Sequence, residues 1–283
     1  MNARELVQEV GTLFSLPDVV VRLNDLIESG QASTAELGEV VELDPGLTAA
    51  VLKLANSAWY GLPSHVDTLS TAVMLIGQKA LRSLALSASV VRTFRGIPEQ
   101  LLDMRAFWNR SIACGVIARN LCRGCRLPEE ERLFISGLLL GVGKLVFLAR
   151  RPTQYRDVLA KAAEGETAMV AAERRLFGFD HAELGAELLR AWKLPEILSF
   201  LVGSQLSPLA AKAWPREAAV VFAARAIAGR IASAIHDSTP LAGFELEFEP
   251  EIWTRLGLQP AVIPEIITAS VAQTREIAGI VNP

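Results

Sequence analysis

Two thiols three positions apart, Cys122-Arg-Gly-Cys125, form the clearest chemical pair in this sequence. Such a pair can share a metal, or can exchange disulfides when one thiol pKa is lowered. A structural zinc site wants four soft ligands, however, and only Cys114 offers a third thiolate, with no histidine nearby in sequence. Cys114 and Cys122 stand among apolar residues at helical spacing, where cysteine behaves as a small hydrophobe. Three cysteines do not imply a disulfide framework, and a redox role for Cys122 and Cys125 stays open.

The histidines are scattered. His65, His181 and His236 form no HxxxH and no His-Asp pair, so no metal centre is legible in them. His181 shares an apolar stripe with Leu184, Gly185, Leu188 and Trp192, which is the usual place of a hydrogen-bonded core histidine. The run from Gly137 to Leu145 imitates a phosphate-binding loop. That loop needs glycine at 138 and a hydroxyl at 145, and both positions are leucine.

The elements that must position such residues read as helices throughout. Of 283 residues, 51% are hydrophobic and only 6% aromatic, with Ala, Leu and Val dominant, which favours helix packed on helix. Capping residues point the same way. Ser33 with Glu36 makes a capping box, Asp180 precedes a helix to Trp192, and Ser70 and Thr167 stand as further starts. Long helices are expected near 102–123, 129–149 and 216–236, with closing helices near 250–256 and 261–280. Asn56 is expected to end helix 47–55 in a left-handed turn before Trp59 and Tyr60, whose rings could anchor a partner or pack inward. The expected fold is all-α, with two packed helical lobes, 1–97 and 98–283, joined near Gly96-Ile97-Pro98.

Charge and hydropathy exclude several classes. With 28 basic and 31 acidic residues, net charge −3, the chain has no basic footprint for nucleic acid. Helices 34–43 and 47–55 outline a helix-turn-helix, but the second offers only Thr48 and Lys53 to a base edge. The apolar runs Phe134–Ala149 and Ala218–Ile235 are interrupted by Lys144 and by Arg225 and Arg230, so no membrane span is expected. The first residues show no signal-peptide pattern, and a cytoplasmic location is expected by default.

Several segments together resemble the HDOD family. They are Leu16-Pro17, Asp44-Pro45-Gly46-Leu47-Thr48, Leu52-Lys-Leu-Ala-Asn56-Ser57-Ala58-Trp59-Tyr60-Gly61, and Leu69-Ser-Thr-Ala-Val73 with Leu75-Ile-Gly77 and Leu81-Arg82. Phe107-Trp108, Gly137-Leu-Leu, Gly143-Lys144-Leu145, Asp180-His181-Ala-Glu-Leu-Gly185 and Trp192-Lys-Leu-Pro195 continue the likeness, which runs from about 13 to about 230. HDOD domains are similar in their second half to HD-type metal phosphohydrolases, so the resemblance implies that lobe to be a degenerate HD-domain bundle.

The resemblance also says where an active enzyme would hold its metal. Arg110 stands at the first histidine, Leu140-Gly141 at the His-Asp doublet, Ser204-Gln205 at a later histidine pair, and Arg225 at the last acid. Of the ligand set only His181 survives. Leucine and glycine cannot ligate a cation, and two arginines would repel one. The resemblance therefore implies no metal, no cofactor and no enzyme, but a bacterial signal-transduction protein that acts by protein interaction. Arg110, Lys144 and Arg225 either pair with acids or reach solvent, or with His181 could hold an anionic nucleotide such as a cyclic dinucleotide, and a residual metal-dependent phosphohydrolase is the distant third reading.

Overall fold

Short polar side chains placed just ahead of apolar stripes set many of the helix starts. Asn2, Ser33, Asp44, Thr68, Asp103 and Asp180 each accept a hydrogen bond from a first-turn N–H that no helical carbonyl could satisfy. The computed structural model describes residues 2–11, 14–94, 97–98, 100–237 and 246–281. Among them run α1 (Ala3–Val10), α2 (Asp18–Ser29), α3 (Thr34–Glu42), α4 (Pro45–Ala55), α5 (Leu69–Ile76) and α6 (Gln78–Thr93). Then follow α7 (Met104–Gly124), α8 (Glu130–Leu139), α9 (Val142–Arg150), α10 (Pro152–Ala160) and α11 (Glu166–Phe177). The chain continues with α12 (His181–Ala191), α13 (Glu196–Ser204), α14 (Pro215–Asp237), α15 (Pro250–Leu256) and α16 (Ile263–Val281). The protein is all-α, with no strand among the described residues.

Helix α7 is the axis of the second half. Twelve of its residues are buried, from Trp108 to Cys122, and α8, α14 and α16 pack around it. In the first half α3 lies on α5, α4 on α6, and α2 on α3 and α6. One buried apolar cluster reaches from Leu6 to Val281, with α6 against α8, α1 against α12 and α16 back against α4. The Trp192 indole N–H donates to the Phe14 carbonyl at 2.7 Å.

Several helix details differ from the sequence reading. Expected helix 129–149 is broken at Leu140-Gly141 into α8 and α9, and its apolar run lies inside the protein, with 78% of the most apolar window of 130–150 buried. Thr68 rather than Ser70 caps α5, and α11 starts at Glu166 behind Gly165, not at a Thr167 cap. Of the expected boundary Gly96-Ile97-Pro98, Gly96 lies outside the described residues, while Ile97 is buried. The His236 side chain likewise lies outside them.

Trp59 is not an exposed anchor. It is 6% exposed, with its ring 5.8 Å from Phe134 and the Arg119 guanidinium 4.0 Å above it. Tyr60 is half-buried under the same guanidinium, which pairs with Glu130 and Glu131. The two rings therefore join the halves instead of facing a partner.

Asn56 also works differently from expectation. Its backbone is at φ −81° and ψ 1°, so there is no left-handed turn. Its side chain is what matters: Nδ2 donates to the Leu52 and Val66 carbonyls at 2.9 and 2.6 Å, and Oδ1 accepts from the Val66 N–H at 2.7 Å. Asn56→Ala and Asn56→Gly should each lower stability by about 2 kcal/mol in chemical denaturation, since both strand the Val66 amide. A glycine variant as stable as wild type would return the explanation to backbone strain.

Candidate functional site

The break between α8 and α9 opens the site. Leu140 and Gly141 end one helix and begin the next beside α7, and Phe107 from α7 lies so close that a Cβ on Gly141 would meet its ring at 2.7 Å. Here Leu140, Gly141 and Lys144 border a cavity of about 410 Å³ that is also lined by Arg110, His181, Gln205 and Arg225. Of the positions that the family likeness gives to metal ligands, all but Ser204 thus line one cavity, and Ser204 borders a separate pocket. Phe107, Leu159 and Met169 supply apolar wall.

His181 is held from behind. Its ring Nδ1 lies 2.8 Å from Glu173 Oε2, and its own backbone N–H donates to the same oxygen at 2.9 Å. Glu173 is fully buried and accepts a third bond from the Tyr155 hydroxyl at 2.6 Å. A carboxylate accepts, so Nδ1 carries the proton and Nε2 is the acceptor on the cavity side. Burial first, and then Lys144, lower the His181 pKa and keep the ring neutral. Gln205 is buried with its amide nitrogen spent on the Leu140 and Val202 carbonyls, each at 2.9 Å.

The cations are unequally satisfied. Arg225 pairs with Glu166 and keeps its Nε buried without a partner. Arg110 is exposed at the rim, passes over Gly229, and makes no hydrogen bond or ion pair with any described residue. Lys144 has no such partner among them either. Burial lowers its pKa to about 8, with Arg110 and Arg225 acting in the same direction against Glu166. Burial pushes the Glu166 carboxyl up, and Arg225 with Lys144 more than reverses this, holding it below the usual range.

A divalent metal does not fit this donor set. Leu140 and Gly141 offer no side-chain ligand, Glu166 is spent on Arg225, and three cations face the space. Among the described residues no three His, Cys, Asp or Glu side chains gather as a metal site. The cysteines do not rescue one. All three are buried and free, and burial pushes the Cys114 and Cys122 thiols up to about 12 and Cys125 to about 11, away from thiolate chemistry.

An all-α bundle with this pocket between its second-half helices is the HD-like class. The chain belongs to the HDOD domain family, whose model matches residues 13–208. The match stops short of the expected 230, so Arg225 lies beyond it and joins the site by geometry alone. A protein of Shewanella amazonensis SB2B provisionally named a phosphohydrolase has a similar structure, with TM-score 0.76 and 26% identity over 98% of this chain and 97% of that one. An HDOD domain protein of unknown function from Geobacter sulfurreducens gives TM-score 0.73 at 21% identity, over 97% and 96% of the two chains. A curated, uncharacterized protein of Treponema pallidum is 24% identical over 198 residues, and this chain's match spans 37% of that protein's length.

Sequence reasoning found Arg110, Lys144, His181 and Arg225 but missed Glu166 and Glu173. Glu173 sits eight residues before His181, and only the fold of α11 against α12 brings the two together. An unpaired, half-buried lysine should destabilise the native state. Lys144→Met is expected to gain about 2 kcal/mol at pH 7. Because the native pKa is about 8 against 10.5 for an ordinary lysine, the unfolded wild type binds the proton more tightly. Wild-type stability should therefore recover, and the gap close, as pH rises through that window. Denaturation midpoints across pH 7–10.5 check this, and no gain at pH 7 would contradict it.

Proposed function

We propose that this chain is a non-catalytic signal-transduction module of the bacterial cytoplasm that works by binding. Its pocket takes a phosphate-bearing anionic ligand of the nucleotide class, and the occupied state is passed to a protein partner. One observation supports this most: Arg110, Leu140, Gly141, Gln205 and Arg225, which stand where the HD likeness puts metal ligands, line one cavity with His181, and Lys144 adds a third cation to it. Arginine forks and a desolvated ammonium are the side chains that recognise phosphate oxygens. The mainly apolar wall around them suits a base or sugar face.

A signalling role agrees with HDOD membership, and a Marinobacter aquaeolei protein of similar fold is provisionally named a signal transduction protein (TM-score 0.71, 20% identity, over 99% of this chain and 66% of that one). The partner reading has its own support in Leu43, Met74 and Leu75, large apolar side chains 47–67% exposed on or beside the neighbouring helices α3 and α5. Trp59 is withdrawn as an anchor because it is buried.

The reading is tested by calorimetric titration with nucleoside monophosphates, cyclic mononucleotides and cyclic dinucleotides. At least one should bind wild type, and Arg110→Ala or Arg225→Ala should weaken it at least about tenfold, the usual scale for a lost charge-assisted bond. Affinity should fall as pH rises above 8, where free Lys144 loses its proton. Binding of none of these ligands would leave the protein-partner reading alone.

A further inference from the structure

Arg225 faces a carboxylate, but that carboxylate belongs to the protein's own chain. Glu166, the first residue of α11, is ion-paired to it, with the Arg225 side chain 13% exposed and that of Glu166 37%. The pair stands between two spaces. On one side is the 410 Å³ cavity with Lys144 and His181. On the other is an open cleft of about 910 Å³, walled by Phe222 and Phe248, and Arg110, Glu166 and Arg225 border both.

The charge balance at this wall is incomplete. Of the three cations that border the inner cavity, Glu166 pairs with Arg225, while Arg110 and Lys144 have no hydrogen-bond or ion-pair partner among the described residues. Arg225 itself keeps a buried Nε without an acceptor. A phosphate brings more oxygens and more charge than a carboxylate, so it can satisfy Arg225 and its neighbours together. Glu166, more exposed than Arg225, can turn to water when it is displaced.

We propose that Glu166 is a built-in counter-anion that occupies the ligand's place on Arg225 in the empty protein and must be displaced for an anion to bind. This deepens the anionic-ligand reading and rests on it. Glu166 then sets the affinity threshold: weakly charged anions fail to displace it, and only ligands with a multiply charged group do. Its departure also joins the inner cavity to the outer cleft, so that the ligand's remainder can extend along Phe222.

The test uses inorganic pyrophosphate as probe, with the full chain at pH 7 and low salt, by isothermal titration calorimetry. Glu166→Gln keeps size and helix position but removes the competing charge, and should bind about tenfold tighter than wild type. Glu166→Asp keeps the charge and should stay near wild type, and Arg225→Ala should lose binding. Circular dichroism and melting curves confirm that each variant is folded. If wild type binds through Arg225 but Glu166→Gln is no tighter, the counter-anion role is overturned and the anion pocket stands. If neither wild type nor Glu166→Gln binds pyrophosphate, both fall together.

Discussion

Backbone-to-backbone helix contact through glycine is the constraint on which the pocket rests. A Cβ on Gly143 would lie 2.0 Å from the His181 carbonyl oxygen, and one on Gly137 would lie 2.7 Å from that of Cys114. Any side chain at either position would force the helices apart. The first contact presses the start of α9 onto the start of α12, and the second presses α8 onto α7. Between them they fix Arg110, Lys144 and His181, from three different helices, around one space. Glu173, Tyr155 and the α12 cap Asp180 then hold His181 in a single orientation.

The same scaffold sets the shape of the cavity through contacts that involve few of the charged side chains lining it. Gly137 and Gly143 make the close helix contacts, whereas Arg110, Lys144 and Arg225 supply the charge. Leu140-Gly141 forms the α8–α9 break, and the Gln205 amide donates to the Leu140 carbonyl across it. Cations at positions 110, 144 and 225 give this side of the cavity a positive potential, which disfavours a cation there.

Helices and their caps were largely legible in the sequence, because they depend on local spacing. Ser33 with Glu36, Asp180, and the turn at Asp44-Pro45-Gly46 each carry their own signal within four residues. Two cap residues, Ser70 and Thr167, differ within a few residues of the true starts, and the other departures depend on tertiary contact. Asn56 was read through backbone preference, yet its task is a side-chain bridge to Val66 ten residues on. For Trp59 the sequence leaves anchor and inward packing both open, and only the fold, with Arg119 over its ring, settles it as inward packing. The four cavity residues were found through the family likeness, whereas Glu166 and Glu173 were silent, since acids on a helix normally read as solvated. One is the counter-ion of the pocket and the other its fully buried brace.

Whether the pocket holds a phosphate-bearing ligand without cleaving it is the central claim, and phosphorus NMR tests both halves at once. Cyclic dinucleotides and nucleoside monophosphates are titrated with the full chain, with magnesium present, and followed for hours. The account predicts that the resonances of at least one ligand shift or broaden with wild type and not with Arg110→Ala or Arg225→Ala, while their integrals stay constant. A phosphomonoester resonance growing from a cyclic dinucleotide with wild type, and absent in the two variants, would contradict it.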